Sequence, residues 1–69
     1  MRAVRVPWPA ALPARVRLVR DYLLQTAGAA QPQAVARAFS RARVPEITAI
    51  LETLAAIGQA RKEEGGYRA

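Results

Sequence analysis

Cysteine and histidine are both missing from this chain of 69 residues. Without cysteine no disulfide can staple a small fold, and a structural zinc site would have only carboxylates to draw on. Ser40 is the single serine, and the five acids are too scattered to read as a pair for acid–base work. No catalytic residue, metal site or cofactor is therefore expected, and an enzyme is the least favoured class. Long apolar runs are missing too: none approaches the roughly 20 residues needed to cross a bilayer. The opening MRAVRVPWPAALP is broken by Pro7, Pro9 and Pro13 and lacks the continuous apolar segment of a secretory signal. The absence of cysteine fits a reducing compartment. The expectation is a soluble, cytoplasmic protein with no membrane partner.

Acid is the other scarcity. Eleven Lys and Arg face five Asp and Glu, for a formal charge of +6, and ten of the eleven bases are arginine. That balance favours a polyanionic partner, with DNA, RNA and anionic membrane surfaces the obvious candidates. An arginine- and alanine-rich proteome would raise the same residues without any such partner. The 52% hydrophobic content suffices for one folded domain, near the size where a single core is only just enough. Much of it is alanine, so Leu, Ile, Val, Phe, Trp and Tyr must supply the core.

Residues 1–13 read as a proline-punctuated arm and residues 14–69 as the domain. In the arm the prolines forbid regular helix. Trp8 and Leu12 are expected to fold back over a small core, while Arg2 and Arg5 resemble the basic arms that touch phosphates or a minor groove. A first helix is expected over about 14–27, with Leu12, Val16, Val19, Leu23 and Ala27 facing inward and Leu18 and Tyr22 forming an offset apolar pair that receives the arm. Ala29-Ala30-Gln31 leaves room for a minimal extended segment. Pro32 opens a second helix, about 32–41, anchored by Val35 and Phe39. After a turn of about four residues, a third helix over about 45–57 carries the strongest apolar stripe: Ile47, Ile50, Leu51, Leu54 and Ile57. Gly58 suits its end. Residues 59–69 then read as a basic hairpin, with extended segments QARKE and YRA around Glu64-Gly65-Gly66. The fold class is mainly α (α+β): three helices followed by a two- or three-stranded β-wing.

Three helices, the last two tightly joined, and a two-stranded finish ending Gly-Gly-Tyr resemble a winged helix-turn-helix DNA-binding domain. The words WPAALPARVRLVRDYL, QAVARAFSRAR, ILETLAAIGQAR and GGYRA are similar, more narrowly, to the small C-terminal winged helix of some bacterial restriction-modification DNA methyltransferases. This resemblance covers about residues 8–69 and departs from that company in one respect: the chain carries no catalytic portion. It implies a stand-alone relative or an accessory domain, with any methyltransferase activity in a partner.

Function has to be argued from the surface. Helix three offers Glu46, Thr48, Ala49, Glu52, Thr53 and Ala56 to solvent, with no Arg, Lys, Asn or Gln for bidentate base contacts, and its two carboxylates would repel phosphates. The bases stand around it instead. Expected DNA contacts, mostly to backbone, are Arg37, Arg41 and Arg43 before helix three and Arg61, Lys62 and Arg68 on the wing, with Thr48 as a base contact. The competing reading is a protein-interaction or dimerisation domain that uses Trp8, Leu18, Tyr22 and the acidic face at Glu52. Its partners would be a homodimer mate or a larger DNA-modifying enzyme.

Overall fold

The core forms where three helical stripes and the hairpin meet. In the computed structural model, which describes residues 6–69, Val19 and Leu23 of the first helix pack with Val35 and Phe39, with Ile47, Ile50, Leu51 and Leu54, and with Ala30, Ala60 and Tyr67. Leu23, Ile47, Leu51, Leu54, Val19 and Val35 are fully buried. Withdrawing side chains of this size contributes roughly 1.5–3 kcal/mol each. No buried polar or charged residue interrupts the core among the described residues. The expectations for Arg2, Val4 and Arg5 lie outside the described residues.

The elements run β1 (Val6–Pro7), α1 (Leu12–Gln25), α2 (Pro32–Arg37), β2 (Phe39–Ser40), α3 (Val44–Ala56), β3 (Arg61–Glu63) and β4 (Gly66–Arg68). The result is an α+β domain of three helices with a short antiparallel two-stranded sheet. Each helix carries a proline in its first turn, where the missing amide hydrogen costs nothing. α3 ends as its glycine requires: Gly58 sits at φ 80, and the amide of Gln59 donates to the Leu54 carbonyl at 2.8 Å.

β3 and β4 pair antiparallel with Arg61 opposite Arg68, Lys62 opposite Tyr67 and Glu63 opposite Gly66. Beyond β4, Ala30 adds a single antiparallel bridge. Its amide donates to the Tyr67 carbonyl and the Tyr67 amide donates to its carbonyl, both at 2.8 Å. Because Tyr67 directs its backbone groups toward Ala30, Lys62 and Tyr67 form a non-hydrogen-bonded pair, whose side chains stand closer together. Alternation then places Lys62 with buried Tyr67 on the inner face of the hairpin and Arg61, Glu63 and Arg68 on the outer face.

Several expectations are corrected here. α2 stops at Arg37, four residues earlier than expected, and Phe39–Ser40 is extended, pairing in parallel with Val6–Pro7. Phe39 is drawn out of helical geometry because its ring lies against Trp8 at 5.1 Å between centroids and Tyr22 at 6.3 Å. The connection between the last two helices is consequently longer, residues 38–43. α1 begins at Leu12 rather than 14, and Val44 already belongs to α3 although Pro45 follows it. Leu12 and Ile57 do not join the core. They are 60% and 62% exposed, Leu12 because it lies at the open end of α1 and Ile57 because it is the C-cap that leaves the stripe. Ala27 is exposed beyond the end of α1, whose C-cap is Thr26.

Candidate nucleic-acid interface

The turn between α2 and α3 is built by one buried side chain and its polar neighbours. Phe39 anchors it, Arg41 takes a left-handed φ of 64, and Arg43 is the extended N-cap of α3. Arg37, Arg41 and Arg43 are all exposed. Arg41 lies on the wall shared by two open clefts. One, of about 380 Å³, is bounded by Trp8, Ala10, Arg15, Arg41, Arg43 and Glu46. The other, of about 400 Å³, holds Arg37 and Arg41 among its lining. The three turn arginines thus occupy one continuous strip. Among the described residues no carboxylate lies within ion-pair distance of any of them.

The two carboxylates expected to spoil the α3 face are both engaged from within. Glu46 accepts the Trp8 indole N–H on Oε1 at 2.8 Å, and its Oε2 accepts from Arg15. Arg15 also donates through Nε to the Pro9 carbonyl at 2.6 Å, and its guanidinium stands 5.4 Å from the Trp8 ring centroid. Glu52 accepts the Tyr67 hydroxyl and pairs with Lys62 Nζ at 3.1 Å. The hydrogen bond from Tyr67, followed by that from Lys62, holds the Glu52 carboxyl below its ordinary range. The hydrogen bond to Glu52 in turn raises Lys62 and raises Tyr67.

This arrangement redistributes the expected site. Lys62 faces α3 and is committed to Glu52. Arg61 and Arg68 project from the outer face of the hairpin directly opposite each other, and Glu63 offsets that repulsion at 3.6 Å from Arg68. Thr48 donates its hydroxyl hydrogen to the Val44 carbonyl at 2.9 Å and retains only acceptor capacity; Thr53 does the same toward Ala49. Trp8 is half-buried, with its N–H and ring both in use. Leu18 and Tyr22 border a small cavity of about 200 Å³ beside Phe39. Glu52 tethers the hairpin through Oε2 and remains exposed on the α3 surface.

Three residues that matter were not singled out from the sequence: Arg15, Tyr67 and the paired role of Glu46. Tyr67 was within reach, since period-two alternation from Arg68 places it on the opposite face. The contacts of Glu46 link positions 31 and 38 apart and have no local signature. Among the described residues no group of side chains could hold a metal ion, and no helix is long and apolar enough to cross a membrane. Compared with known proteins, the chain matches no family model, no curated protein and no solved structure.

Proposed function

We propose that this chain is a winged-helix module that grips duplex DNA through backbone phosphates, acting as a regulator of, or accessory to, a DNA-acting enzyme. In this reading α2, the turn and α3 are the helix-turn-helix, β3–β4 is the wing, and Ala30 supplies the vestige of a third strand. The observation that carries it is the division of charge. Glu46 and Glu52 are neutralised by partners inside the fold, while Arg37, Arg41, Arg43, Arg61 and Arg68 stand exposed at the two ends of α3.

Spacing supports the same reading. Arg43 precedes α3, and Glu52, where Lys62 fastens the wing, lies nine residues on. At 1.5 Å per residue that is about 13 Å along the helix axis, close to the roughly 12 Å width of the major groove. With no Arg, Lys, Asn or Gln on α3 there is little to read bases, so binding is dominated by phosphates. Of the alternative partner-binding surface, Trp8 has its N–H and ring engaged in internal contacts, while Leu18, Tyr22 and Glu52 retain accessible surface. The resemblance of the chain to the C-terminal winged helices of restriction-modification methyltransferases supports an accessory role beside such an enzyme, with catalysis in the partner.

Fluorescence anisotropy with a labelled duplex and a scrambled duplex of equal length tests this. The two should bind within about threefold of each other, and Arg61→Ala with Arg68→Ala should weaken both equally. A preference of a hundredfold or more for one sequence would contradict a backbone grip.

A further inference from the structure

We propose that the cleft between the arm, α1 and the turn is a seat for a single phosphate group, held by Arg41 and Arg43. The cleft, about 380 Å³, presents three guanidinium groups and one carboxylate. That carboxylate is not free to repel an anion, because each oxygen of Glu46 already accepts a hydrogen bond, from Trp8 and from Arg15. Arg15 is held from the other side by the Pro9 carbonyl, so with Glu46 it forms a fixed wall of no net charge. Arg41 and Arg43 keep their donors unclaimed by any carboxylate among the described residues. Their planar, forked donors match the geometry of a phosphate oxyanion.

Two further features define the ligand. Arg43 is the N-cap of the 13-residue α3 and makes no side-chain capping bond, and the one acid of the first turn, Glu46, is turned to Trp8 and Arg15, so the positive end of the helix dipole adds to the field in the cleft. The Trp8 ring carries the Arg15 guanidinium over one face at 5.4 Å and meets Phe39, tilted by 45°, at 5.1 Å, so its contacts are already made within the fold. The chemistry is that of a phosphate group and not of an unstacked base. For its source, a phosphodiester of duplex DNA, the inference rests on the function proposed above; for phosphate binding as such it does not.

Trp8 is the chain's single tryptophan and lines the cleft, so its emission reports on occupancy. Titration with sodium phosphate should give a saturating change that sodium chloride at matched ionic strength does not, and Arg41→Gln with Arg43→Gln should weaken the response at least tenfold. Arg41→Gly, a substitution compatible with the left-handed backbone, should weaken it at least threefold with an unchanged circular dichroism spectrum. Observing the Arg41 and Arg43 Nε–H resonances in the unaltered protein gives a second readout, and both should shift with phosphate. An equal response to chloride, or one retained in full by the variants, would overturn the seat. A phosphate response in a protein that binds no duplex would uphold the seat and sink the DNA reading. Duplex binding without a phosphate response at Trp8 would do the reverse.

Discussion

Gly66 shows how one residue decides the seating of the hairpin. It sits at φ 128, and a Cβ there would fall 2.2 Å from the Ala30 carbonyl oxygen. Only glycine lets that carbonyl approach and accept from Tyr67. Gly66→Ala should therefore cost about 2 kcal/mol or more, from the combined loss of the bridge and backbone strain. Hydrogen exchange at the amides of Ala30 and Tyr67 is the direct readout: both should lose protection while α1 keeps its own. Unchanged protection at those amides would contradict the packing described. The paired arginines are the complementary case. Arg61 and Arg68, directly opposite on the outer face, disfavour the free hairpin by a few tenths to about 1 kcal/mol. A polyanion laid across them would reverse that cost.

Among the elements, the hairpin is tied to α3 by the group of Glu52, Tyr67 and Lys62, and its pH dependence follows from the direction of each shift. Glu52 is held below its ordinary value of 4.5, so its contribution is present above that value and lost as pH falls through the lowered one. Lys62 and Tyr67 are raised above 10.5 and 10.0, so theirs is present below those values and lost as pH rises through the raised ones. The tether should hold from about pH 5 to pH 10 and loosen on both sides. Following the ring resonances of Tyr67 by NMR from well below pH 4.5 to above pH 10.5 should show flat shifts between two transitions, and Glu52→Gln should abolish the acidic one. An acidic transition that survives this substitution would assign it to another group.

How far the elements could be read beforehand depended on whether their cause was local. The Ile47, Ile50, Leu51 and Leu54 stripe, the proline at each helix start and the glycine at the end of α3 are all short-range signals, and each marks the element it should. The Ala30 bridge was legible as a minimal strand because only three residues separate Gly28 from Pro32. β2 was not. Val35 and Phe39 stand four apart in an alanine- and arginine-rich stretch, which is helical spacing and helical composition, yet Phe39 is claimed by Trp8 and Tyr22 from distant parts of the chain. The same distance hid the state of the site. Glu46 and Glu52 read as bare acids on a reading face, because the residues that neutralise them lie 10 to 38 positions away. The identity of the arginines was plain from composition, whereas their grouping on one turn depended on where α2 ends.

For the whole molecule, the charge is uneven rather than wholly one-sided. α1 also exposes Arg17 and Arg20, which the proposed grip does not use. What distinguishes the turn and the hairpin is that their arginines flank a helix whose two acids are each paired with a base of the same chain. The domain is small and its stability modest, on the order of 5 kcal/mol for a chain of this length. The salt dependence of duplex affinity, measured from 50 to 200 mM, tests the proposed grip most directly. If Arg37, Arg61 and Arg68 each neutralise one phosphate and Arg41 and Arg43 share a fourth, the logarithm of affinity should fall against the logarithm of salt with a slope of about −3.6, flattening by about one with Arg41→Gln and Arg43→Gln. A slope near zero, or no binding at 50 mM, would contradict it.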